Sequence, residues 1–131
     1  MRISLETDYA VRIVQALANS NQRMSASVIS GQTRVTEKFC LKILRKLVSN
    51  GIVKSFKGVG GGYELNKAPK DITLRQVIET IEGPIVLSRC LNDDFACEHN
   101  HADCTCYFHK VFYDVSKEMA RRFDEVNFEL I

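Results

Sequence analysis

The hydrophobic spacing opens on a helix. Ala10, Ile13, Val14, Leu17 and Ala18 recur at the i, i+3, i+4, i+7 interval of one helical face over Glu6 to Ala18. Asn19, Ser20 and Asn21 close it. Ser25 can cap a second, short helix through Val28 and Ile29, which Gly31 is expected to stop. Thr36 can cap a third that runs to Asn50 and ends at Gly51. Cys40, Ile43, Leu44, Leu47 and Val48 form its apolar face; Glu37, Lys38, Lys42, Arg45 and Lys46 form the other. The second and third helices have the proportions of a helix-turn-helix.

Period two follows. Ile52 to Phe56 and Tyr63 to Leu65 have the residues of strands, and the tip between them, Lys57 to Gly62, has turn chemistry. A helix running into a basic, glycine-tipped hairpin predicts a winged helix, with Lys54 and Lys57 near phosphate. An ordinary surface hairpin is the plainer alternative, and the helix-turn-helix pattern before it argues against that.

After a linker containing Pro69, Thr73 and Gln76 form a capping box that opens a fourth helix with Leu74, Val77, Ile78 and Ile81 on its apolar side. Gly83-Pro84 ends it. Pro84 to Thr105 has no period and is expected to be a loop. Tyr107 to about Val126 is a last long helix with Phe108, Val111, Phe112, Val115, Met119, Phe123 and Val126 along one stripe. So many apolar residues at the end of a small domain predict a partner helix in a homodimer; folding back on its own domain is the alternative. The expected fold is mainly α with a small β-hairpin wing. A winged helix-turn-helix region spans 1–83, a cysteine-rich loop 84–106 and a dimerisation helix 107–131.

At 131 residues and 45% apolar content the chain can bury a core. No run of about 18 apolar residues suggests a membrane span. Charges interrupt the N-terminal stretch MRISLETDYAVR, which is unlike a signal peptide. A cytoplasmic protein is expected. Net charge is +2, yet residues 1–70 hold 12 Lys or Arg against 4 Asp or Glu, while 71–131 hold 6 against 12. A basic half joined to an acidic half suits a polyanion-binding module followed by something different.

That second part carries the metal-ligating residues. Cys90, Cys97, Cys104 and Cys106 fall within 17 positions, with His99, His101 and His109 among them. In a reducing compartment such a set favours metal over disulfides. Thiolates and imidazoles hold zinc or iron–sulfur centres, and the spacing lacks the paired C-x-x-C of a zinc ribbon. Cys40, on the core side of its helix, is expected to be a small buried hydrophobe.

The stretches ETDYAVR, KILRKLVSNGIVKSFKGVGGGYEL and TLRQVIETIEGP, followed by the cysteine loop, resemble the IscR/NsrR-type family of winged-helix transcription regulators, which includes CymR and RirA. The wing tip GVGGGY is the most specific piece. The resemblance implies a dimer on roughly palindromic promoter DNA and, in its iron–sulfur branch, a [2Fe–2S] or [4Fe–4S] cluster on three loop cysteines. CymR-like members lack those cysteines. The family's register with the last helix implies Cys90, Cys97 and Cys106 as ligands, with Cys104 as substitute or extra; even spacing would instead select Cys104. The fourth ligand is His109 as in IscR-like members, or Asp8 from the partner subunit as in NsrR-like ones.

The expected function is therefore transcriptional regulation, most simply repression, with no enzymatic activity. Thr36, Lys38, Phe39 and Lys42 of the third helix would meet bases or flanking phosphates, and Lys57 with Gly60, Gly61 and Gly62 of the wing would meet the backbone. The alternatives are a zinc-stabilised interaction module and a thiol-based redox regulator without a cluster.

Overall fold

The computed structural model describes residues 2–92 and 106–129. Helix α1 (Leu5–Ser20) starts beside Ser4, whose Oγ accepts from the Thr7 N–H at 3.2 Å. It ends at Asn21 in the left-handed region (φ 52°), where asparagine is tolerated better than most residues. Its apolar interval is buried as spaced: Ala10, Ile13 and Val14 are fully covered.

Helix α2 (Ala26–Thr33) is capped by Ser25 as expected. The expected stop at Gly31 does not occur. Glycine inside an exposed helical turn costs only about 1 kcal/mol, too little to end the helix by itself. Thr33 Oγ1 donates to the Ile29 carbonyl at 2.7 Å and Ser30 Oγ to the Val35 carbonyl at 2.6 Å. Arg34, in the left-handed region at φ 59°, ends the helix instead. The turn into helix α3 (Glu37–Ser49) is therefore Arg34 to Thr36, and Thr36 Oγ1 caps α3 by accepting from the Phe39 N–H.

Strand β1 (Val53–Phe56) pairs antiparallel with β2 (Gly62–Leu65), Val53 opposite Leu65 and Phe56 opposite Gly62. Met24 adds one residue to this sheet. Its N–H donates to the Tyr63 carbonyl at 2.9 Å and its carbonyl accepts from the Tyr63 N–H at 2.7 Å. The hairpin is thereby joined to the segment between α1 and α2. This is a winged helix.

Helix α4 (Leu74–Glu82) opens with the expected capping box, both halves formed between Thr73 and Gln76. Helix α5 (Tyr107–Asp124) starts at Cys106, which occupies the capping position. The core gathers Ile13, Val14, Ile29, Ile43, Leu44, Leu47 and Val77 from α1 to α4. Val48, expected in that face, is only half-buried. The last described residues return to this core. Phe128 is 5% exposed within it, and the Leu74 N–H donates to the Val126 carbonyl at 2.8 Å. Among the described residues, no helix is long and apolar enough to cross a membrane.

Candidate nucleic-acid interface and cysteine site

Burial divides α3 cleanly. Cys40, Ile43, Leu44 and Leu47 are fully covered, while Thr36, Lys38, Phe39 and Lys42 are exposed together on the opposite side. Phe39 is 44% exposed on that face. Tyr9 of α1 meets it edge-on with ring centroids 6.0 Å apart, and Lys42 of α3 itself has its Nζ 5.9 Å from the ring centre. Glu6 of α1 reaches the same helix, with Oε1 2.8 Å from Lys46 Nζ and 3.9 Å from Lys42 Nζ. The pattern of α3 alone does not reveal these α1 partners. The charges at the start of the first helix were the only signal.

The wing presents Lys57, Val59 and Gly60 to solvent. Gly61 and Gly62 are half-buried and have structural reasons to be glycine. A Cβ on Gly62 would stand 2.6 Å from the Met24 carbonyl oxygen, and its φ is 137°. A Cβ on Gly61 would strike the Phe56 carbonyl. Arg23 clamps the hairpin, a role that no local pattern marks. Its guanidinium carbon lies 3.5 Å from the Phe56 ring centre, Nε lies 3.5 Å from Glu64, and Nη1 donates to the Gly60 carbonyl at 3.4 Å.

The cysteine loop is described only at its two ends; Cys97 and Cys104 lie outside the described residues. Cys90 sits half-buried in a 3-10 turn (Arg89–Leu91), its Sγ 3.2 Å from Ser88 Oγ. Cys106 is half-buried at the head of α5, and His109 stands three residues into that helix, on the same side by helical spacing. The 3-10 turn packs on α5, and the Leu87 N–H donates to Ser116 Oγ at 2.8 Å. Both ends of the loop are thus fixed to one helix. Asp8 lies in the first turn of α1, 2.9 Å from Arg12. Among the described residues no three metal-capable side chains gather. The donors at the loop's ends are free thiols with an imidazole nearby, chemistry that fits a soft, thiolate-bound metal centre. Cys40 differs. It is fully covered, and burial pushes its thiol above the ordinary value, with Thr33 opposing that rise by hydrogen bonding.

Burial changes along helix α5. In its second half Ser116 and Ala120 are buried and Met119 and Phe123 half-buried against α4 and the 84–92 segment. Tyr107, Phe108, Phe112, Tyr113 and Val115 are exposed, between 39% and 71%.

The sequence profile of the Rrf2 family, described as iron-dependent transcriptional regulators, matches residues 3–131. A Rhodobacter capsulatus protein named as an rrf2-like HTH-type transcriptional regulator is 31% identical over 120 residues, covering 86% of this chain and 80% of its own. The HTH-type transcriptional regulator NsrR of Bacillus licheniformis is 31% identical over 103 residues, covering 77% of this chain and 69% of its own. Among solved structures, CymR, the global cysteine regulator of B. subtilis, superposes with a TM-score of 0.75 at 23% identity, over 98% of this chain and 94% of that one, a likeness of fold.

Proposed function

The chain belongs to the Rrf2 family of transcriptional regulators, and on that premise we propose that it is a cytoplasmic, homodimeric repressor whose grip on promoter DNA is set by an iron–sulfur cluster. The observation that carries the DNA reading is the exposed face of α3, which presents Thr36, Lys38, Phe39 and Lys42 to solvent, together with the exposed Lys57 of the wing tip. A helix of this kind enters the major groove with its N-terminal residues nearest the bases. Lys57 and the Gly60–Gly62 backbone then follow the adjacent phosphates.

Cys90, Cys97 and Cys106 hold the cluster, [2Fe–2S] or [4Fe–4S], with Cys104 as substitute or extra ligand. His109 or Asp8 supplies the fourth. His109 shares a helix face with Cys106, whereas Asp8 is paired with Arg12 within its own chain. The cluster supplies a centre that responds to iron supply, nitric oxide or redox change. The chain's own residues make that response mechanical. The loop leaves α4 at Gly83, is held against α5 at Leu87, and rejoins α5 at Cys106. Ordering it fixes the angle between the reading domain and the helix whose exposed aromatic face pairs the two subunits.

The test is the visible spectrum, with iron and sulfide analysis, of anaerobically purified variants. Cys90→Ala and Cys106→Ala each remove the cluster absorbance, and Cys40→Ala keeps it. Retention of colour in both loop variants would contradict the assignment. Loss in Cys104→Ala but not in Cys106→Ala would move the ligand to Cys104. A second reading, a thiol-based regulator, is favoured by the half-buried free thiols of Cys90 and Cys106 and by the fold shared with the global cysteine regulator. It predicts colourless protein whose DNA affinity changes on thiol oxidation. A colourless protein that binds zinc and no DNA would instead be an interaction module.

A further inference from the structure

Helix α3 carries Lys38, Lys42 and Lys46 one turn apart on one side. At 1.5 Å per residue the row is about 12 Å long, close to the width of the major groove at about 12 Å. A helix lying in the groove with Lys38 near the bases therefore brings the far end of its row, Lys46, toward a flanking phosphate backbone. Lys46 is not free to use that position. Its Nζ is 2.8 Å from Glu6 Oε1, and the Glu6 carboxylate is the less exposed partner, at 24% against 38%. Lys42 is held more loosely by the same oxygen, at 3.9 Å with its side chain 58% exposed. A carboxylate at that place meets the ammonium as a phosphate oxygen would.

We infer that Glu6 is a built-in phosphate mimic: a positioning residue that keeps Lys46 out of the set of cations neutralising DNA, and so limits sequence-independent affinity. The inference rests on the reading of α3 as the helix that enters DNA. Sequence-independent binding scales with the number of phosphates neutralised, with a log–log salt slope of about −0.9 for each. Withholding one lysine removes one such unit on every sequence. Thr36, Lys38 and Phe39 lie outside the Glu6 pairs and keep their roles.

The experiment is a titration of a short random-sequence duplex with the whole protein across a series of salt concentrations. Glu6→Gln binds more tightly at low salt than the wild type, and its slope is steeper by about 0.9, so that its advantage shrinks about 3.5-fold between about 50 and 200 mM salt. Damage to the fold would weaken binding and cannot produce that gain. Lys46→Gln, a change at a part-exposed surface lysine, leaves wild-type slope and affinity unchanged, and added to Glu6→Gln it abolishes the gain. A Glu6→Gln slope equal to the wild type overturns the inference, as does a shallower slope in Lys46→Gln alone. Should wild type itself bind the duplex without salt dependence, the reading of α3 falls, and the inference with it; that failure is visible before any variant is made.

Discussion

Glu82 joins the last turn of α4 to the first turn of α1. Its Oε1 accepts from the Ser4 N–H at 3.1 Å and from the buried Thr7 hydroxyl at 2.6 Å. Hydrogen bonding by Ser4, and then by Thr7, holds its carboxyl below the ordinary value of 4.5. A carboxyl lowered in the folded state contributes stability that is complete above the unfolded value and is lost as pH falls through the folded one. Denaturant midpoints should therefore separate wild type from Glu82→Gln at neutral pH, and the gap should close on acidification below the carboxylate range. A gap independent of pH would show that the carboxylate's charge is irrelevant. At Gly62, a Cβ meets the Met24 carbonyl in a backbone region side chains avoid. Gly62→Ala should cost more than about 1 kcal/mol in chemical unfolding, and a neutral result would show that the wing tolerates a shift at Met24. Single residues were legible in the sequence where the rule is local. Ser25, Thr36 and the Thr73–Gln76 box follow from capping chemistry within three residues. The clasps of Glu82 on Thr7, Glu6 on Lys46 and Arg23 on Phe56 join positions far apart in the chain, and no local pattern announces them.

Among the elements, the proposed reading has α3 and the wing divide the work of recognition. Lys57→Ala should weaken binding about equally on all duplexes and lower the salt slope by about 0.9, while changes at Thr36 or Lys38 should alter which sequence is preferred. Equal effects of both on every sequence would contradict that division. Helix α2 was legible in its start and not its end, because glycine stops a helix only when the residues after it decline to continue. Helix α5 was legible as a stripe but not in how the stripe is shared. Its second half is covered, down to the small residues Ser116 and Ala120 that hydrophobic spacing overlooks, while the first half of the same stripe is exposed. That division changes how the dimer is best tested. Deleting 107–131 would also remove Phe128 from the core. Phe112→Glu, in the exposed first half of α5, should instead give a folded monomer by light scattering, with DNA affinity reduced by about 100-fold or more through lost bivalency. A surviving dimer would place the interface elsewhere.

At the scale of the whole molecule, a continuous chain of contacts runs from the end of α4, where the cysteine loop begins, to α3. The loop leaves the end of α4 beside Glu82, Glu82 holds the first turn of α1, and Glu6 in that same turn holds α3. The sequence announced the two ends of this route, a basic reading half and a cysteine-rich acidic half, since charge and thiol chemistry are visible residue by residue. Their connection depends on packing. If the state of the loop governs DNA affinity, it shows in the titration of a duplex selected from a random pool with anaerobically purified protein before and after iron is removed by a chelator. Visible absorbance and affinity should change together in the wild type, and Cys90→Ala should bind as the stripped protein does. Identical affinity for coloured and stripped protein would contradict it.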